Sequence, residues 1–131
     1  MGFFSRIKDS FSMENNVSEH WNHPENENDL DQILSRSDKI QVIFKHSSAC
    51  GTSAFALRSM ESILPESVEN VDFHIVEVRI QRDLSNYVAQ ITGVRHESPQ
   101  LILVKNGEVL WDASHSAIFP KSVLEKIGQF R

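Results

Sequence analysis

The stretch Leu101-Ile-Leu-Val-Lys-Asn-Gly-Glu-Val-Leu-Trp111 constrains this chain more than any other. The type I′ turn, one of the two common two-residue hairpin turns, needs a positive φ at both residues, and Asn followed by Gly adopts it at least cost. Asn106-Gly107 between two apolar runs therefore predicts two antiparallel strands. A lone hairpin is marginal in water, so further strands or helices must cover its apolar side.

The preceding residues supply them. Ile40-Gln-Val-Ile-Phe-Lys-His46 is rich in branched and aromatic residues and too short for a helix, which predicts a buried strand. Ser47-Ser-Ala-Cys-Gly-Thr52 breaks that pattern, and Ala54, Ala56, Leu57, Met60, Ile63 and Leu64 then recur at helical spacing, with a stop or kink expected at Pro65. In residues 71–78, Val71, Phe73 and Ile75 alternate with Asp72 and His74 before the pattern breaks at Val76 and Val78, which predicts a second strand of uncertain register. Leu84, Tyr87, Val88 and Ile91 mark a helix that Gly93 ends. Pro120 opens the last helix, with Val123, Leu124 and Ile127 as its stripe. Ahead of all these, Leu30, Ile33 and Leu34 predict a short helix capped by Asn28.

Two strands joined by a helix run parallel through a right-handed crossover, and the terminal hairpin adds two antiparallel strands. The expected fold is α/β: a four-stranded mixed sheet flanked by helices, over residues 30–131. Residues 1–29 read as an amino-terminal arm with a turn of amphipathic helix at 3–11, and Trp21 is expected to tuck the arm onto the body.

At 131 residues, 40% hydrophobic and 24% charged, the chain suits one core and lies far from disordered compositions. A formal net charge of -5 leaves no basic surplus for phosphates, so nucleic acid is not an expected partner. No apolar run is long enough to cross a bilayer, the first residues lack an export signal, and Arg6 stands where myristoylation at Gly2 would need Ser or Thr. A cytoplasmic location without membrane attachment is expected, and a single cysteine, Cys50, suits that reducing compartment. No metal site is expected. His20 and His23 have a ligand-like gap but lack further ligands, and they are expected on the surface with His74, His96 and His115.

Cys50 falls where a predicted strand hands over to a predicted helix. The thiolate is the nucleophile, and a free cysteine with a pKa near 8.5 is only slightly ionised at neutral pH. The unpaired amides and positive dipole end of a helix stabilise an adjacent anion, so a Cys50 pKa below about 7.5 is expected. Ser53, one turn along, can offer its hydroxyl or amide to the sulfur. Lys45 and His46 end the strand nearby, and alternation lets only one of them face the site.

Taken together, the strand ending at Cys50-Gly-Thr-Ser53, Pro99 and the 101–109 hairpin resemble a thioredoxin-fold protein. More narrowly, Ile43-Phe-Lys-His-Ser-Ser-Ala-Cys-Gly-Thr-Ser53 resembles the monothiol bacilliredoxin family, also called YtxJ, with its Phe-Lys-His-Ser stretch before a Cys-x-x-Ser site. Bacillus-type members usually carry Thr before the cysteine and Pro-Ile after it, where this chain has Ala49 and Gly51-Thr52. The resemblance implies a one-cysteine cycle in which Cys50 takes a low-molecular-weight thiol from a protein mixed disulfide and an outside thiol releases it. Catalysis falls to Cys50 and Ser53, and substrate contact to His46, Gly51, Thr52, Ser98 and a cis Pro99. Bacillithiol is the implied co-substrate, with no bound cofactor, and proteins carrying mixed disulfides are the implied partners. Two other readings stay open: a monothiol glutaredoxin-like iron–sulfur carrier using Cys-Gly-x-Ser, and a thioredoxin-fold binding module with an inert thiol.

Overall fold

The computed structural model describes residues 17–67 and 69–131. The amphipathic turn expected at 3–11 lies outside them. In chain order the elements are β1 (Trp21–Asn22), α1 (Glu27–Ser35), β2 (Ile40–His46), α2 (Gly51–Ser67), β3 (Val71–Glu77), α3 (Arg82–Thr92), β4 (Gln100–Lys105), β5 (Glu108–Ser114), a 3₁₀ turn (His115–Ala117) and α4 (Pro120–Phe130). The strands form one sheet in the order β1-β3-β2-β4-β5. β2 pairs parallel with β3 and antiparallel with β4, and β4 pairs antiparallel with β5.

The hairpin forms where Asn106-Gly107 predicts it, with φ of 54° and 79° at the two turn residues. The sheet has five strands rather than four, because Trp21 and Asn22 pair parallel with Phe73 and His74. Two residues are too few to show a periodicity, so this edge is silent in sequence. Trp21 does anchor the segment. It is fully buried against Phe44 and Phe73, and its Nε1 donates to Glu61 Oε2 at 2.7 Å.

Both faces of the sheet are covered. Val42, Phe44, Phe73, Ile75, Leu101 and Leu103 pack with α2 and α4 through Met60, Leu64, Val123 and Ile127. On the other face Ile43, Val76, Ile102 and Val104 meet Leu30, Ile33, Leu84 and Val88 from α1 and α3. Each such aliphatic or aromatic side chain contributes about 2 kcal/mol by leaving water. Double burial also explains the broken alternation in β3, since a strand covered on both sides has no polar face to show.

Three local expectations are corrected. Asn26, not Asn28, caps α1, accepting from the Asp29 amide at 2.9 Å, because the helix begins at Glu27. Of the stop or kink expected at Pro65, the stop does not occur, since α2 runs on through Pro65 to Ser67. His23 and His74 are buried, at 6% and 3% exposure. His74 lies on the side of β3 that was read as polar, and α1 covers that side.

Candidate active site

Cys50 is the residue just before α2, and its carbonyl accepts the Ala54 amide at 3.0 Å, the first bond of that helix. Its own amide donates to the Ser47 carbonyl at 3.2 Å, which closes the turn leaving β2. The residue is partly exposed and forms no disulfide. The Ser53 and Thr52 amides, with a smaller contribution from the Thr52 hydroxyl, hold the thiol below the usual cysteine range against a weaker effect of burial. A thiolate at this position is met by the unpaired amides of a helix start, the arrangement that activates cysteine.

Of the two groups Ser53 could offer the sulfur, the structure uses the amide. The Ser53 amide serves the sulfur, whereas the buried Ser53 hydroxyl is engaged beneath the turn. It accepts from the Ser47 amide at 2.8 Å and lies 2.9 Å from His46 Nδ1. His46, at 5% exposure, is therefore a support under Ser53 and not a surface that a substrate could touch. Burial pushes the His46 pKa down, opposed by the charge of Glu77. Thr52 and Gly51 stand exposed in the first turn of α2.

Glu77 is the residue that sequence reasoning missed. It ends β3 opposite His46 and is 1% exposed. Its carboxylate accepts the Ser48 amide at 3.0 Å and the Arg79 amide at 3.0 Å, so it grips the loop before Cys50 from below. A carboxylate directly after the apolar pair Ile75-Val76 at the end of β3 was the available signal.

The Ser98–Pro99 peptide bond is cis, as the resemblance implies. Lys45 pairs with Gln100 across β2 and β4, so Pro99 comes level with His46 at the sheet end from which the Cys50 turn departs. Ser98 is partly buried, with no hydrogen-bond partner for its hydroxyl among the described residues. Lys45 points to the opposite face, where its Nζ meets His96 Nδ1 at 3.0 Å, and burial lowers its pKa to about 8. The described residues hold no group of three or more His, Cys, Asp or Glu side chains suited to a metal ion. Among them, no helix is long and apolar enough to cross a membrane.

Comparison with known proteins bears on the family and the fold. The family model for monothiol bacilliredoxin BrxC matches residues 22–123, which include every site residue named above. Among solved structures, a chain described as a candidate oxidoreductase with a thioredoxin fold is 31% identical, with a TM-score of 0.71, covering 79% of this chain and 90% of its own. Thioredoxin from Trypanosoma brucei brucei, at 19% identity, gives a TM-score of 0.69 with 84% and 89% covered. Thioredoxin from Malassezia sympodialis, at 22% identity, gives 0.65 with 82% and 87% covered. The fold is that of thioredoxin.

Proposed function

The chain belongs to the monothiol bacilliredoxin family, a thiol oxidoreductase family with a single working cysteine, and on that premise we propose that Cys50 removes bacillithiol-type thiols from cytoplasmic proteins. The observation that supports this best is the Cys50 sulfur facing the Thr52 and Ser53 amides at the start of α2 while remaining partly exposed.

The chemistry is two successive exchanges. The Cys50 thiolate attacks the small-thiol sulfur of a protein mixed disulfide. That sulfur–sulfur bond breaks, the client leaves as a thiolate that takes a proton from water, and Cys50 now carries the small thiol. An external thiolate then attacks this sulfur, restores the Cys50 thiolate and leaves as a low-molecular-weight disulfide. The client sulfur is reduced and the one incoming thiol is oxidised, while the transferred thiol passes from one disulfide to another, so electrons balance without a second protein cysteine. The protein binds no cofactor in this cycle, and bacillithiol is its co-substrate.

Within it, the amides of Thr52 and Ser53 hold charge on the attacking and departing Cys50 sulfur, and the Ser53 hydroxyl with His46 and Glu77 fixes the turn. Gly51, Thr52 and Ser98 form the surface offered to the client, with Pro99 buried behind Ser98. Intact mass measurement after mixing the reduced protein with oxidised bacillithiol, and separately with glutathione disulfide, tests the reading. A thiol-reversible adduct at Cys50, faster with bacillithiol, is expected. No adduct with either disulfide would leave Cys50 an inert thiol in a binding module.

A further inference from the structure

The mechanism above uses the α2 side of β2 and leaves unexplained a fully buried lysine on the other side. Lys45 is 0% exposed, and none of the ion pairs among the described residues includes it. A buried ammonium without a carboxylate is costly, and a protein retains one where it holds something. Its Nζ meets His96 Nδ1 at 3.0 Å. Since an ammonium only donates, Nδ1 must accept, which places the ring proton on Nε2 and requires His96 to be neutral.

His96 lies on the irregular segment between α3 and β4 that leads into Ser98–Pro99. The same segment is held by Gln100, the cross-strand partner of Lys45, whose Nε2 donates to the Arg95 carbonyl at 2.8 Å. Further along, the His115 amide donates to the Pro99 carbonyl at 3.0 Å, and His115 Nε2 lies 3.4 Å from Glu97 Oε1. The Lys45 contact requires a neutral His96 ring, whereas the His115–Glu97 contact is an ion pair only when His115 is charged, so the two ties on this segment respond to a proton in opposite senses.

Resting on the proposed function, we propose that Lys45 and His96 form a latch that positions the Ser98–Pro99 segment for client proteins and opens when His96 is protonated. Both are positioning residues, acting through the segment and not on the reacting sulfurs. The charged and titratable groups facing His96 are Lys45 from β2, Arg82 from α3 and the adjoining Glu97, with the Ser85 hydroxyl 3.4 Å from Nδ1. Burial foremost, and Lys45 next, depress the His96 pKa below 6.5, against the opposing charge of Glu97. The latch is therefore closed at neutral pH and opens as pH falls through that depressed value.

The test uses a fluorescent peptide disulfide-linked to whichever small thiol loads Cys50, with KM and kcat followed from about pH 5.5 to about pH 8. Lys45→Met and His96→Leu, which each remove one end of the hydrogen bond, are expected to raise KM about fivefold near neutral pH with kcat changed less than about twofold. The wild-type KM should rise on acidification. His96→Gln retains an acceptor that does not titrate, so it should keep the wild-type KM and lose the acid rise. An unchanged KM in Lys45→Met and His96→Leu, or an acid rise that persists in His96→Gln, overturns the latch. Imidazole titration by NMR reads the contact whether or not Cys50 turns over. The His96 pKa should rise in Lys45→Met, and a His96 pKa indifferent to Lys45 contradicts the proposal without touching the assigned function.

Discussion

β2 and β3 run side by side, and each end of the pair buries polar side chains, but the two ends employ them differently. At the carboxyl end Ser53 and Glu77 accept backbone amides of Ser47, Ser48 and Arg79, with His46 backing Ser53. At the amino end the shorter bonds run between side chains, and the backbone contacts are two long ones, from Gln41 Nε2 to the Lys39 and Ile40 carbonyls at 3.4 Å each. Gln41 Nε2 donates to Asp72 Oδ2 at 2.9 Å, and His74 Nε2 donates to Gln41 Oε1 at 2.8 Å. Lys39 and Arg36 stand 3.5 and 3.9 Å from Asp72, beside an open cavity of about 350 Å³. Polar groups bonded to backbone fix the path of a loop, whereas groups bonded to one another fix chiefly themselves. Only the first end carries a nucleophile that needs a fixed path.

The sharpest break of this comparison is to remove one carboxylate from each end. Glu77→Ala strands two loop amides and should cost about 3 kcal/mol in denaturant unfolding while slowing Cys50 alkylation. Asp72→Ala, at a half-exposed position, should cost about 1 kcal/mol and leave alkylation alone. Equal effects of the two on Cys50 would erase the distinction.

Acid should act next most strongly, and through the amino end. Burial pushes the His74 pKa down to about 4, from 6.5. The unfolded chain therefore binds the extra proton, so stability is full above pH 6.5 and falls as pH drops from there toward 4. A loss of about 2 kcal/mol between pH 7.5 and pH 5 is expected from this group, and His74→Phe should flatten that dependence. The smallest effect is expected at Ser53. Ser53→Ala should cost about 1 kcal/mol and move the Cys50 pKa by less than about 0.3, because the sulfur is served by the Ser53 amide and not by its hydroxyl.

Local chemistry was legible wherever one residue type answers one geometric demand. Asn106-Gly107 announces the hairpin, Gly93 ends α3 with a φ of 74°, and Pro120 opens α4. The Cys50 junction was legible because a β-branched run gives way to helical spacing around it. Other features depend on what the sheet brings together. Glu77 and Ser48 are distant in sequence and meet only because β2 and β3 pair in register. His74 looked exposed because alternation assumes one wet face, and α1 removes it. The sequence left open whether the Ser53 hydroxyl or its amide meets the sulfur, because helical spacing fixes direction but not competition, and the Ser47 amide and His46 claim the hydroxyl.

The central claim is that backbone amides at the head of α2 hold the Cys50 thiol below the ordinary cysteine range. Its most direct test is the rate of iodoacetamide alkylation of the intact protein as a function of pH. A single titration with a midpoint below about 7.5 is predicted, and a midpoint above about 8.5 would contradict the account.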